Sequence, residues 1–283
     1  MAASEPLAPV RLDAADVFAG VALSDGAQWN QTADDWQLFV THGDVRGLRT
    51  GRSELVASAA TLPFEGGMGW LSMVLVAPEW RHRGLATRLL DDGVQRLQAA
   101  GLTPVLDATP AGEAVYRRLG FARGFEFERW EGELPDVAAP AAPGIREAGA
   151  NDLDAIAALD HEATGLDRRF LLRHFLARQG TRAWLDGEGF VLARQGRRAL
   201  QIGPLVARGA QQALALLRAA FARLRGRVFL DLPARWCTVA DWLAAQGFRP
   251  QRPFARMALA PVLPARVRDP GERLFVLAGP EFG

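Results

Sequence analysis

At 283 residues the chain has the length of two domains of about 150 residues, each large enough for its own core. Its 49% hydrophobic content and net charge of +1 exclude a disordered chain and lack the basic excess of a dedicated nucleic-acid binder, and no apolar run approaches the ~20 residues needed to span a bilayer. The one cysteine, Cys237, excludes an internal disulfide and offers no metal cluster, and the absence of lysine excludes a catalytic lysine.

Residues 1–6 lack the charged start and apolar core of a signal peptide, so a cytoplasmic location with no membrane partner is expected. Residues 14–22 and 33–40 read as helices, joined by a loop that holds Trp29, Asn30 and Gln31. Residues 54–62 and 69–76 read as strands, and the second ends in the apolar run Met73-Val74-Leu75-Val76 before the breaker Pro78. Next comes Arg81-His82-Arg83-Gly84-Leu85-Ala86, which opens an amphipathic helix from Thr87 to Leu97. A strand that delivers the chain to a helix N-terminus is a place for oxyanions, because several amide N–H groups lack carbonyl partners there and the helix dipole favours negative charge. Gly84 permits close approach to the backbone, Ala86 keeps the first turn open, and Arg81 and Arg83 add charge, which is the chemical logic of a pyrophosphate cradle.

A further strand, 104–107, precedes a helix that carries the chain's only tyrosine, Tyr116, and ends at Leu119-Gly120-Phe121. Residues 133–144 are rich in proline and alanine and lack strand or helix periodicity, so the expected organisation is a first domain over 1–134, a semi-extended linker over 135–143 and a second domain over 144–283. Beyond the linker, residues 198–206 read as a strand, 211–224 as a helix, 228–231 as a strand and 239–246 as a helix ending in Gly247-Phe248. The second half thus repeats the first in worn form. Its loop Ala207-Arg208-Gly209-Ala210 lacks the R-x-x-G-x-A spacing, and Leu243 stands where the first half has Tyr116.

The R-x-x-G-x-A turn after a V-x-P strand end, followed by Y-x-x-x-G-F at 116–121, resembles the acetyl-CoA site of the GNAT family of N-acetyltransferases. The whole chain resembles a bacterial tandem subgroup with a degenerate second domain, also in Gln28-Trp29-Asn30-Gln31, in 106–112 and in 278–283. The resemblance implies an α/β fold of two tandem GNAT-like domains, each a mixed, mostly antiparallel sheet flanked by helices. It also implies transfer of an acetyl group from acetyl-CoA, as acyl-donor substrate and without a metal, to a primary amine by direct attack in a ternary complex.

Carried over residue by residue, Val74, Leu75 and Val76 would pair with the pantetheine arm and supply an oxyanion amide. Arg81, His82, Arg83, Gly84, Leu85, Ala86 and Thr87 would hold the diphosphate, and Tyr116 would protonate the leaving thiolate. A phenol with a reference pKa near ~10 is protonated at neutral pH and can donate. Trp29, Asn30, Trp36 and Trp70 are candidates for an acceptor pocket, against which core packing weighs equally for the tryptophans. Glu65, Asp34, Asp35 and His42 could border such a pocket, but spacing selects no general base. Cys237 reads as a small buried hydrophobe, Asp231 as a brace of its strand, and His161 and His174 as residues of a solvated helical face. The expected partners are a small-molecule or peptide amine and no nucleic acid, with the chain a monomer or homodimer. The alternative is a non-catalytic acyl-CoA sensor or an interaction protein.

Overall fold

The computed structural model describes residues 6–135 and 144–283, and it divides into two compact units, Met1–Pro104 and Val105–Gly283. The first unit runs β1 (Ala8–Arg11), α1 (Val17–Gly26), α2 (Ala33–His42), β2 (Asp44–Arg49), β3 (Leu55–Phe64), β4 (Met68–Val76) and α3 (Leu85–Ala99). The four strands form an antiparallel sheet in the order β1-β2-β3-β4. The α2 helix starts sharply because Thr32 and Asp35 cap one another: the Asp35 N–H donates to Thr32 Oγ1, and the Thr32 N–H donates to Asp35 Oδ2 at 2.8 Å. The α3 helix turns Leu89, Leu90, Gly93 and Leu97 inward, and a Cβ at Gly93 would stand 2.7 Å from the Leu71 side chain, so glycine sets the close seat of α3 on the sheet.

The second unit begins within β5 (Thr103–Ala108) and continues through α4 (Pro110–Arg118), β6 (Ala122–Leu134), β7 (Arg146–Ala148), α5 (Leu153–Thr164) and α6 (Arg169–Ala177). It goes on through β8 (Arg182–Leu185), β9 (Phe190–Arg194), β10 (Leu200–Val206), α7 (Ala210–Phe221), β11 (Gly226–Pro233), α8 (Cys237–Ala245), β12 (Arg249–Ala258), α9 (Ala265–Arg268) and β13 (Leu274–Val276). Its sheet order is β5-β12-β6-β11-β10-β9-β8-β7, with β13 set against β10. The β10–β11 pair is parallel and the others in this order are antiparallel.

That order records an exchange. β6 closes the first half of the sequence repeat and β12 the second, yet β12 pairs with β5 and β6 pairs with β11, and the two exchanged strands pair with each other. Phe127 and Phe254, at equal distances from Phe121 and Phe248, stack with centroids 5.0 Å apart and planes 5° from parallel. Arg129 of β6 forms a bidentate pair with Asp231 of β11 at 2.9 and 2.8 Å, and Arg256 of β12 forms the same pair with Asp107 of β5 at 2.8 Å twice. Each copy therefore anchors the last strand of the other by a buried, planar charge pair. The exchange draws β5, α4 and β6 into one compact unit with the second half, so the units do not follow the halves of the repeat. Except for Pro135, the linker expected at 135–143 lies outside the described residues.

Candidate active site

In the first unit, β4 hands the chain to α3 through a single 3-10 turn, Pro78–Trp80. Trp80 is buried among Leu48, Val56, Ala57, Ala59 and Leu89, which pins the turn to the sheet. Past it the chain is exposed from Arg81 to Gly84, with left-handed backbone at His82 (φ 63°) and Gly84 (φ 75°). Gly84 is the N-cap of α3, and a Cβ there would meet nothing within 4 Å. No side chain caps this helix, and its first backbone bond runs from the Arg88 N–H to the Gly84 carbonyl at 3.1 Å. The amides of Leu85, Ala86 and Thr87 thus point from an uncapped N-terminus toward open space, the arrangement that holds an anion. Arg81 donates to the Val76 carbonyl at 3.2 Å. Arg83 donates to the Glu79 carbonyl at 2.9 Å and lies 4.6 Å from the Trp80 ring centroid, so both arginines are steered back along the loop.

One strand earlier the backbone is bent. Ser58 opposes Leu75 and Ala60 opposes Ser72, so Met73 and Val74 together face Ala59 in a β-bulge. Met73 has φ 52°, a strained value for a non-glycine residue, and its carbonyl is held by the Ser58 hydroxyl at 2.8 Å in a buried setting. The strain falls at the residue bordering the run 74–76 expected to carry the oxyanion amide, with Val74 and Val76 half-buried and Leu75 buried. Ser58 was not among the residues singled out from sequence, although a hydroxyl inside the apolar run Leu55–Phe64 is a signal that could have found it.

The acceptor-pocket candidates separate. Trp29 is half-buried and Asn30 is buried in the α1–α2 connection, next to buried Gln31, whose Oε1 makes no hydrogen bond among the described residues. Ser72, just before the bulge, is a second buried polar group, and its hydroxyl is also unbonded. Trp36 and Trp70, by contrast, are core residues at 0% and 1% exposure. Trp36 donates to Ser24 Oγ at 3.2 Å across α1, where a Cβ at Gly20 would overlap its ring, and Trp70 sits edge-on to Phe64 at 5.9 Å. Packing consumes their surfaces, so the expectation that they wall a pocket is corrected. Asp35 is spent on the α2 cap, while Asp34 and His42 are exposed on α2. Glu65 is exposed in the β3–β4 hairpin, at the far end of β4 from Val76, and about 30 Å of extended chain separates the two positions.

In the second unit, Thr109 caps α4 by accepting from the Gly112 N–H at 3.3 Å, and Pro110 occupies the first helical position. The helix ends with Gly120 at φ 91°. The Gly120 N–H donates to the Arg117 carbonyl at 3.0 Å, the Phe121 N–H donates to the Tyr116 carbonyl at 3.1 Å, and the Tyr116 and Phe121 rings lie 6.1 Å apart. The Y-x-x-x-G-F spacing is therefore a helix C-cap with a left-handed glycine and an apolar contact across it, and it fixes the tyrosine. Gly112, where a Cβ would stand 2.9 Å from the ring, leaves room for the phenol along the helix. Burial pushes the Tyr116 phenol up to about 12, and among the described residues its hydroxyl makes no hydrogen bond. The group is a neutral donor whose proton is not already committed.

The repeat in the second half carries the same cap. The Gly247 N–H donates to the Ala244 carbonyl and the Phe248 N–H to the Leu243 carbonyl, both at 3.0 Å, with Gly247 at φ 84° and Leu243 fully buried. Asp231 does more than brace a strand end: it lies inside β11 at 0% exposure, holding Arg129 and Gln201. Cys237, expected to be buried, is exposed at the first position of α8, with Sγ 3.8 Å from the Ala234 carbonyl. His161 is exposed on α5 and His174 is half-buried on α6. Among the described residues no group of three or more His, Cys, Asp or Glu is placed to hold a metal ion, and no helix is long and apolar enough to cross a membrane.

A bulged strand leading to an uncapped helix N-terminus, repeated in a second half, defines a tandem GNAT architecture. Residues 22–121 match the family described as Acetyltransferase (GNAT) family, and residues 156–269 match the Acetyltransferase (GNAT) domain. The chain belongs to the GNAT superfamily. Among curated proteins it is similar to the holothin acyltransferase of Pseudoalteromonas sp. (strain SANK 73390), at 26% identity over 185 residues. That match covers 63% of this chain and 62% of the relative, so the chain spans less than two thirds of the relative's length. Among solved structures, a Pyrococcus horikoshii protein assigned as an acetyltransferase superposes with a TM-score of 0.80 at 18% identity, covering 98% of this chain and 96% of that one. A tandem GNAT protein from the clavulanic acid biosynthesis pathway gives 0.64 at 17%, covering 91% and 100%. A GCN5-related N-acetyltransferase from Sphaerobacter thermophilus gives 0.64 at 16%, covering 92% and 98%. At these identities the structures share the fold.

Proposed function

We propose that the chain is an acetyl-CoA-dependent N-acetyltransferase that moves the acetyl group to a primary amine by direct attack in a ternary complex. The observation that carries this reading is the uncapped N-terminus of α3, fronted by Gly84 and flanked by Arg81 and Arg83, which suits the diphosphate of a CoA thioester. In the reaction, the amine nitrogen forms a bond to the thioester carbonyl carbon, and the carbonyl electrons move onto oxygen. An amide of the bulged run 74–76 would hold that oxyanion, a contribution of about 3 kcal/mol for one well-aimed donor. The C–S bond then breaks, sulfur keeps the electron pair and Tyr116 supplies its proton. The proton lost by the amine passes to water and restores the phenol. A phenol that holds its proton up to about 12 is in the donating form at neutral pH.

The assignment of Asp35 to the α2 cap removes it from the candidates for binding a cationic acceptor, and no general base is assigned. The protein is read as cytoplasmic, a monomer or homodimer, acting on a small-molecule or peptide amine. Isothermal titration of the purified chain with acetyl-CoA, followed by thiol-release assays over a panel of primary amines, tests this reading. One site per chain with turnover supports it. Binding without turnover on any amine favours an acyl-CoA sensor, and no binding refutes it.

A further inference from the structure

The bulge of β4 has a counterpart in β10. There Gln201 and Ile202 oppose Arg194 and Ala193, while Leu205 opposes Val191, so Gly203 and Pro204 together face Leu192, with Gly203 at φ 132°. Up to the bulge, β10 is bonded in parallel to β11, from Leu200–Val228 to Ile202–Leu230. Past it that pairing stops and the two strands part. The notch is not empty: Leu205 and Val206 pair antiparallel with Val276 and Leu274 of β13, and on the other side the Leu277 N–H donates to the Asp231 carbonyl of β11 at 2.9 Å.

We infer that residues 274–283 are a built-in surrogate for the pantetheine arm of an acyl-CoA, filling the strand-shaped slot of the second half and leaving one donor site per chain. The inference rests on the reading above, in which a bulged strand receives pantetheine as an added strand. Pantetheine offers amides along an extended chain, and β13 offers the same groups as peptide. The segment is anchored along its length. Phe275, Val276, Leu277 and Phe282 are fully buried, the Trp236 ring stacks on Phe275 at 3.9 Å, and Trp236 Nε1 donates to the Leu274 carbonyl at 2.8 Å. Arg194 donates to the Ala278 carbonyl, and Arg168, ion-paired with Asp160, donates to the Gly283 carbonyl. A Cβ at Gly203 would overlap the Leu277 carbonyl, so the bulge itself is shaped to the segment.

At the diphosphate end the residue ahead of α7 is tied down, although α7 itself, like α3, has no side-chain cap. At the start of α7 the Arg208 N–H donates to Gln212 Oε1 at 2.7 Å, and Gln212 is held by Asp186 at 2.8 and 2.7 Å. Displacing the segment by dissolved ligand would expose four large apolar side chains, which makes the seal permanent rather than a gate.

The test is hydrogen exchange read by mass spectrometry on the full-length chain, with and without saturating CoA, beside a calorimetric titration with CoA. Residues 203–207 and 274–278 are expected to be protected without ligand and unchanged with it, at one CoA per chain. A second equivalent of CoA, or CoA-induced loss of protection at 274–278, overturns the inference. Leu277→Pro removes the N–H that Asp231 accepts, while Leu277→Ala keeps it. The proline variant is expected to exchange about tenfold faster over 203–207 than the alanine variant, and equal rates would also overturn the inference. Should the wild-type chain bind no CoA, the proposed function fails, while the protection pattern and the proline–alanine contrast still decide whether the segment seals the notch.

Discussion

Arg256→Met probes the exchanged strands directly. The substitution keeps the bulk of the side-chain stem but leaves the Asp107 carboxylate, at 0% side-chain exposure, without the two 2.8 Å bonds it receives from the guanidinium. Breaking one partner of a buried pair costs about 3–5 kcal/mol, because the remaining charge stays desolvated. Against a typical total of about 5–15 kcal/mol, that is about a fifth of the stability at the least and all of it at the most. Part of the Arg256 contribution is packing, since its guanidinium lies 4.7 Å from the Phe125 ring centroid, and methionine preserves some of that contact. Asp107→Leu combined with Arg256→Met replaces both charges with apolar groups and should recover all but about 1–2 kcal/mol. Urea denaturation followed by circular dichroism and by the summed fluorescence of the eight tryptophans gives the transitions. The reasoning is refuted if Arg256→Met shifts stability by less than about 1 kcal/mol, or if the double variant is no more stable than the single. By the symmetry of the exchange, Arg129→Met should act on Asp231 in the same sense.

Tyr116→Phe retains the ring contact with Phe121 and loses a hydroxyl that makes no hydrogen bond among the described residues. It should leave melting temperature and acetyl-CoA affinity unchanged while lowering kcat by about tenfold or more, and equal turnover would reduce the residue to packing. As Tyr116 is the only tyrosine, phenolate absorbance reports it alone, and the transition should centre near about 12. An unfolded phenol titrates near ~10, so the folded chain binds more protons between the two values, and this contribution to stability is lost as pH rises through that window and is intact below it. A midpoint at the unfolded value would contradict the burial argument. Gly84→Val puts a β-branched residue at φ 75°, with a strain of about 1–2 kcal/mol and a side chain in the space left for an anion, so acetyl-CoA affinity should fall about tenfold in calorimetry. Unchanged affinity would mean that the α3 terminus does not receive the diphosphate.

The parts of the fold that sequence revealed are those with local causes. The β4 run, the amphipathic stripe of α3 and the glycine that ends α4 each announce themselves within a few residues. The strand exchange does not, because β6 and β12 carry the same aromatic and arginine positions, and a pattern shared by both copies is silent about which copy a strand joins. β12 adds Pro250 and Pro253, which argue against a central strand; the fold places Pro250 at a register shift that ends at Arg252, and Pro253 opposite Glu128 just past it. β13 has three residues and partners far away in sequence, so no periodicity marks it. The tryptophans of the acceptor side illustrate the limit for function. Trp36 and Trp70 are what a pocket wall looks like in sequence, and only their complete enclosure assigns them to the core.

The two halves also serve as an internal control on which features belong to the scaffold and which to chemistry. Both keep the glycine-capped helix and the aspartate held by an exchanged arginine, so folding accounts for these, and both keep the bulge, which the proposed reaction uses in the first half and β13 fills in the second. They differ at Tyr116 against Leu243 and at the R-x-x-G-x-A turn before α3 against Ala207-Arg208-Gly209-Ala210 before α7, positions that acyl transfer would use. If that division is right, restoring the phenol alone cannot restore activity in the second half, since a tyrosine at 243 would have β13 rather than a thioester beside it. Leu243→Tyr placed in the Tyr116→Phe background should show the turnover of Tyr116→Phe alone. The added bulk at a fully buried site is expected to lower stability by about 1–3 kcal/mol, so the assay is run below the melting temperature of the double variant. Recovery of turnover would mean that the second half admits a donor, and the separation of scaffold from chemistry drawn between the copies would be wrong.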